Sequence, residues 1–366
     1  MKQLESVQAL RGIAALLVFM GHLIAIEKIH AGRPQPLTEF WASGIYGVDL
    51  FFVISGFVIV WVGADMPQNW QSSRRFITAR VVRIYPSWWL FASSAAVAYW
   101  LANGVPWNIE RISGVGLEHL LHSFLLWPQP TPPVLSVGWT LIHEMYFYIG
   151  FACLIFLVPV HHRFRAFIAW GIVVFAGAAL GLSSGFSGNL IELIFYPMTL
   201  EFIAGGLVAF LIKAKVRRAA MTCLTLGGAA YIIGFVSVDV VPIGPNKLGL
   251  EWQRTLVFGV ASSLIIYGAV VLELENKLQR GWMRRAFVAL GNWSYAFYLC
   301  HVLTISVTGR IIYGWLNLTG SVGVILFLVT ATFASLITAF TTYRVFERPI
   351  ISAFKHRRAS VARAAM

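Results

Sequence analysis

The stretch Tyr46-Gly-Val-Asp-Leu-Phe-Phe-Val-Ile-Ser-Gly-Phe-Val-Ile-Val-Trp-Val-Gly63 decides the fold. It is apolar for about the length of a bilayer crossing, with one carboxylate, Asp49, near its start. Working outward, nine more stretches of similar character follow the same reading: 8–26, 86–102, 136–158, 166–183, 195–212, 219–238, 255–273, 287–308 and 321–343. Composition agrees. Of 366 residues, 58% are apolar and 12% charged, about half the usual charged share of a soluble domain. Mean hydropathy is +0.74. So few charges cannot cover a water-soluble surface, so the chain is not soluble. The same apolar excess excludes disorder, and three cysteines exclude a disulfide scaffold. The expected fold is an all-α polytopic transmembrane bundle of about ten spans. Residues 8–26 superficially resemble a signal peptide, but Arg11 and His22 interrupt them and no convincing cleavage site follows.

The net charge of +13 would suggest nucleic acid in a soluble protein. In a membrane protein it follows from positive cytoplasmic loops, and no nucleic-acid partner is expected. With the N-terminus in the cytoplasm, 22 of the 28 Lys and Arg fall on the inner face. Lys28, Arg33, Arg111, Lys247, Arg254 and Arg310 remain on the outer one. That bias favours an even number of spans with both termini cytoplasmic. Residues 1–366 then form a single transmembrane domain with a short basic tail over 344–366. The longest outer loop, around 103–135, is too small for a separate catalytic domain. Cys153, Cys223 and Cys300 lie in apolar stretches without CxxC spacing and read as buried hydrophobes. No metal site is expected.

Ionisable side chains inside apolar spans are costly, and so are functional candidates. Arg11 and His22 are 11 residues apart on the first helix, about 16.5 Å along its axis and nearly on one face. Arg11 falls near the cytoplasmic end and His22 in the outer half. Asp49 in the second span and Glu144 in the fourth also fall in outer halves. Ser294, Tyr298 and His301 share one face of the ninth. His22, Asp49, Glu144 and His301 are therefore expected at a common depth, lining one site. The alternative is a set of separately satisfied core groups. At the inner face, Arg80-Val-Val-Arg83 sets two guanidinium groups on one helical face, a fork suited to phosphate or an ordinary pair of positive-inside arginines.

These residues also carry a resemblance. The chain resembles the acyltransferase-3 family of integral membrane O-acyltransferases, which acylate cell-surface glycans. The family's R-x10-H signature is similar to Arg11 and His22, and its GVDxFFxxSGF signature to Gly47 through Phe57. Its RxxR element is similar to Arg80 and Arg83. Trp139-Thr140-Leu141 with Glu144 and Phe147, then Ser294, Tyr295, Tyr298, Leu299 and His301, then Glu347-Arg348-Pro349, follow in family order. The opening around Ser6 to Ala15 looks most like the exopolysaccharide acetyltransferase branch. One departure is that Pro86 is followed by Ser87 and Trp88 where the family usually has P-x-Y, so no role is inferred for Trp88. A second is that no fused extracytoplasmic domain, common among relatives, is expected.

The resemblance implies a multi-pass inner-membrane enzyme. Its donor would be cytoplasmic acyl-CoA, acetyl-CoA by default, and its acceptor a hydroxyl of an exported glycan or lipid-linked glycan. Arg80 and Arg83 would hold the donor's phosphates, and Arg11 would bind phosphate or cap the donor passage. His22 would be the general base or form an acyl-histidine. Glu144 or Asp49 would orient it, unless Asp49 serves a helix N-terminus. Ser294, Tyr298 and His301 would line the acceptor path or stabilise an oxyanion. The rival class is a multi-span transporter that uses intramembrane His and Glu. Assembly into a homo-oligomer is left open.

Overall fold

The computed structural model describes residues 4–31, 40–101, 116–183, 188–238, 248–278 and 281–354. Part of the 103–135 loop and the tail beyond residue 354 lie outside these. So do Arg33, Arg111 and Lys247 of the outer-face set. Helix α1 is Glu5–Ala31, α2 Gly47–Gly63, α3 Trp70–Leu101 and α4 Leu117–Leu125. Next come α5 Trp139–Leu157, α6 Arg163–Ala179, α7 Leu190–Ile194 and α8 Thr199–Lys213. The last are α9 Ala220–Ser237, α10 Leu248–Arg254, α11 Val260–Leu274, α12 Trp282–Asn292, α13 Ser294–Gly309 and α14 Gly320–Thr342. No strand occurs among the described residues.

Among the described residues, eight helical segments are long and apolar enough to cross a membrane: Glu5–Ile29, Phe40–Gly63, Ser136–Leu157, Leu190–Lys213, Ala220–Ser237, Glu251–Leu274, Ser294–Trp315 and Gly320–Phe354. The chain is thus an all-α, multi-pass bundle. The remaining expected stretches, 86–102 and 166–183, lie on helices of another kind. In α3 the apolar half shares one continuous helix with Arg74, Arg75, Arg80 and Arg83. Helix α6 is only 17 residues long and begins at Arg163. The expected 287–308 span is divided at Trp293. Gly291 there lies so close to the Gln8 carbonyl of α1 that a Cβ would collide with it. The helix restarts at Ser294, whose hydroxyl donates to the Gly291 carbonyl at 2.9 Å.

Helix α1 is the hub, packed against α2, α11, α12 and α13. Its free N-terminal amides are capped in trans, with Glu5 N and Ser6 N donating to the Glu273 carboxylate at 2.8 and 2.7 Å. An anion at a helix N-terminus is favourable because unpaired N–H groups and the helix dipole converge there. The α2–α8 crossing is as close as the contact at Gly291. A Cβ on Gly56 or Gly205 would run into the facing carbonyl of Phe202 or Val53. Small residues are what let helix backbones meet where no water drives them together.

Two arginines counted as loop charges from the sequence do structural work inside the protein. Arg163 is 1% exposed and donates to the carbonyls of Ile155 and Val158 at the end of α5, and of Ala64 and Met66 after α2. It satisfies two helix C-termini at once. Arg254 belongs to a buried cluster described below. Trp88, given no role from the sequence, is wholly buried, and its indole N–H donates to Ser123 O at 3.0 Å. With Tyr85 on Leu125 O and Trp89 on Phe124 O it ties α3 to the end of α4.

Candidate active site

Five helices surround a cavity holding about 760 Å³ of atom-free space, open surroundings included. Arg11 enters from α1, Ser55 from α2, Arg80 and Arg83 from α3, Thr140, Glu144 and Tyr148 from α5, and Ser294, Tyr295 and Tyr298 from α13. Residues far apart in sequence reach it because α2, α3, α5 and α13 each present one face to α1 or to one another. The Arg80 guanidinium lies between the rings of Phe76 and Tyr148, 5.2 and 5.5 Å from their centres. This holds it in place through cation–π attraction. Its Nε has no partner among the described residues. Ser55 Oγ donates to Glu144 Oε1 at 2.6 Å, and Tyr148 Oη donates to the same oxygen. Glu347, from the short π-helical turn Tyr343–Glu347, is buried within electrostatic reach of Arg83 and Arg11. Three guanidinium groups thus face two carboxylates. The excess of positive charge, with spare N–H donors, is the electrostatic form of an anion site.

Beyond this cavity lies a pair of imidazoles. His301 Nε2 is 3.3 Å from His22 Nδ1, with ring centres 5.0 Å apart. His22 Nδ1 also lies 2.9 Å from Val18 O, and His301 Nδ1 3.2 Å from Phe297 O. Tyr298 joins the two places. It lines the cavity, and its ring centre is 5.7 Å from that of His301. Its hydroxyl is 2.8 Å from Thr140 Oγ1 and 3.1 Å from Val137 O.

The four groups expected to line one site are divided among three places. His22 and His301 stand together. Glu144 faces the arginine cavity. Asp49 is elsewhere, held by Arg254, whose Nη2 donates to Oδ2 at 2.8 Å and Nε to Oδ1 at 3.3 Å. That guanidinium lies 5.2 Å from the centre of the Tyr46 ring, and Glu201 borders the pair. In the same region Tyr196 donates to Glu251 at 2.7 Å. The reason is helix geometry. Asp49 and Ser55 are six residues apart on α2, about 240° around its axis, so they look in different directions despite sharing a motif. Neither carboxylate is the hydrogen-bonding partner of His22 that the sequence suggested; that partner is His301.

Ser294 lies in the cavity wall, its hydroxyl already spent on Gly291 O. Ser55 and Tyr148 were missed as candidates. Tyr148 had a legible signal, four residues after Glu144 on one helical face. Arg254 had none: a lone arginine ahead of an apolar run reads as a loop charge. Cys300 directs its thiol toward Phe297 O and Ser335 O, each 3.6 Å away. Among the described residues no group of three or more side chains could hold a metal ion.

Sequence comparison places these observations. The family described as "Acyltransferase domain" matches residues 4–344. An exopolysaccharide production protein of Rhizobium meliloti (strain 1021), ExoZ, is 31% identical over 328 residues, covering 86% of this chain and 92% of that protein. The acyltransferase MdmB of Streptomyces mycarofaciens is 27% identical over 338 residues, covering 86% of this chain and 82% of its own. No solved structure matches. With a family match spanning nearly the whole chain, a multi-pass helical bundle, and Arg11, His22, Arg80, Arg83 and Glu144 each in its motif, the chain belongs to the acyltransferase-3 family of membrane acyltransferases.

Proposed function

We propose that the protein transfers an acyl group, acetyl by default, from acyl-CoA to a hydroxyl of an exported glycan. The observation that carries this reading is the order of the groups: an arginine-rich cavity, Tyr298 in its lining, and against Tyr298 a paired imidazole whose partner histidine is part-exposed. The nucleotide phosphates of CoA are recognised by Arg11, Arg80 and Arg83, while the uncharged pantetheine arm extends toward Tyr298. The axial rise from Arg11 to His22, about 16.5 Å, matches the scale of such an arm. The basic end of the bundle faces the cytoplasm, by the positive-inside rule, so donor and acceptor approach from opposite sides. The name of the Rhizobium relative directs the acceptor toward exopolysaccharide, and the membrane is the inner one.

The chemistry needs a base and an oriented thioester. A sugar hydroxyl is a weak nucleophile until its proton is accepted during attack. His22 takes that proton, and the sugar oxygen bonds to the thioester carbonyl carbon. The C–S bond breaks, and the sulfur leaves as CoA thiol with the proton returned by His22. The Tyr298 ring stands beside this route, its hydroxyl held by Val137 O and Thr140. Glu144, anchored by Ser55 and Tyr148, belongs to the donor end and sets the charge balance of the cavity.

The test uses the full chain in membrane vesicles with labelled acetyl-CoA and isolated exopolysaccharide. Wild type should release free thiol in step with label appearing on the glycan. His22→Ala should lose about 10²- to 10⁴-fold in turnover at equal membrane abundance, the usual worth of general-base catalysis. Near-normal turnover in this variant, or transport of label without thiol release, would overturn the reading.

A further inference from the structure

We infer that His301 is a positioning residue that, together with the Val18 carbonyl, holds His22 in its Nδ1–H tautomer and steadies the charge it gains, so that His22 Nε2 is the nitrogen that takes the acceptor's proton. The inference rests on the acyl-transfer reading above and deepens it. It begins with a proton inventory. A neutral imidazole carries one N–H and one lone pair. His301 Nδ1 faces the Phe297 carbonyl at 3.2 Å, and a carbonyl only accepts, so the His301 proton sits on Nδ1. Its Nε2 is then a lone pair, and that lone pair faces His22 Nδ1 at 3.3 Å. Two lone pairs would repel, so His22 Nδ1 carries a proton. A second acceptor demands the same proton independently, because the Val18 carbonyl lies 2.9 Å from that nitrogen. With Nδ1 protonated, His22 Nε2 holds the lone pair.

The two histidines are therefore unequal. His301 has both nitrogens occupied and is 1% exposed. His22 keeps Nε2 outside these bonds and part of its ring accessible. Only His22 has a basic nitrogen to offer. The pair also holds its direction through the reaction. When His22 gains the acceptor's proton at Nε2, its Nδ1–H still points at two acceptors, and His301 Nε2 shares the new charge. A proton on His301 Nε2 would instead set donor against donor. Phe19, Phe297 and Tyr298 surround the His301 ring and hold its plane. A backbone-anchored imidazole thus fills the place that a carboxylate takes in a hydrolase triad, where losing the correct tautomer is costly although every group remains.

The two ends of the His301 ring can be imitated separately. In His301→Gln the side-chain oxygen reaches the place of Nε2 and can accept from His22. In His301→Asn it reaches only the place of Nδ1. His301→Leu offers neither. With the full chain in membrane vesicles, the Leu and Asn variants should lose about 100-fold in kcat with the acetyl-CoA KM unchanged. The Gln variant should recover to within about tenfold of wild type. Equal activity of Gln and Asn, wild-type kcat in the Leu variant, or a change confined to KM would overturn the inference. A measurement on unaltered protein guards against misfolded variants: 15N-histidine magnetic resonance in bilayers should find His22 protonated at Nδ1 and bare at Nε2. The reverse tautomer would overturn the inference alone. If His22→Ala stayed active, the acyl-transfer reading would fall first; if His22→Ala were dead and His301→Leu fully active, only the role of His301 would.

Discussion

Two places in this bundle bury arginine beside carboxylate, and they have opposite characters. At Asp49 and Arg254 the charges close on one another in a two-pronged pair between the start of α2 and the end of α10, with exposures of 0% and 5%. At the cavity, Arg11, Arg80 and Arg83 face Glu144 around open space, with Glu347 buried within reach of Arg11 and Arg83, and the Arg80 Nε is left over. The first place has the form of a fastening. The second has unspent donors and room, which is what a bound anion needs. Burial of charge in a membrane protein is therefore not itself a sign of function. What separates the two is whether the partners are already satisfied and whether space remains beside them.

That contrast can be broken by substitution. The largest expected effect is on folding: Asp49→Ala strands the Arg254 guanidinium and should cost about 3–5 kcal/mol of stability, the usual result of removing one half of a buried pair. Thermal melting in detergent reads it. Asp49→Leu with Arg254→Met should recover part of that loss, because the pair goes apolar together while Glu201 and Glu251 lose the cation beside them. Turnover per folded molecule should hold in the double variant; a specific loss of turnover would move Asp49 into the chemistry. Next in size, Arg80→Ala with Arg83→Ala should weaken acetyl-CoA binding about 100-fold, the scale of one or two charge-assisted hydrogen bonds, without lowering the melting temperature comparably. Equal donor affinity would make these ordinary inner-face arginines. The smallest effect belongs to Glu144→Gln. It keeps a hydrogen-bonding side chain beside Ser55 and Tyr148 while removing one negative charge from the cavity. Donor KM should fall by about two- to fivefold, a surplus of a few tenths to 1 kcal/mol. A collapse of kcat at constant KM would return Glu144 to the proton-transfer step.

How much of this could be read beforehand differs from element to element. The apolar runs and the six ordered motifs were legible because a bilayer demands continuous hydrophobicity and a motif survives in a linear string. Spacing set Arg80 and Arg83 on one face, the resemblance grouped them with Arg11 at the donor end, and all three line the same cavity. The expected convergence of Asp49 and Glu144 on His22 was not met, because depth along a helix is set by counting residues while the direction of a side chain depends on how each helix is rotated in its packing. The division of 287–308 at Trp293 was hidden for a similar reason, since it answers to Gly291 meeting α1. Arg163 and Arg254 read as loop cations because nothing local distinguishes an arginine in water from one turned inward onto carbonyls or a carboxylate.

The sequence by itself determined that the chain spans a membrane and that ionisable groups such as Arg11, His22 and Glu144 lie within its apolar stretches. These follow from composition and periodicity, which do not depend on what a residue meets. Tertiary structure alone decided partnership: His22 with His301, Glu144 with Ser55 and Tyr148, Asp49 with Arg254. A hydrogen bond reaches only about 3 Å, so each pairing is settled by helix rotation and close approach between segments as many as 279 residues apart.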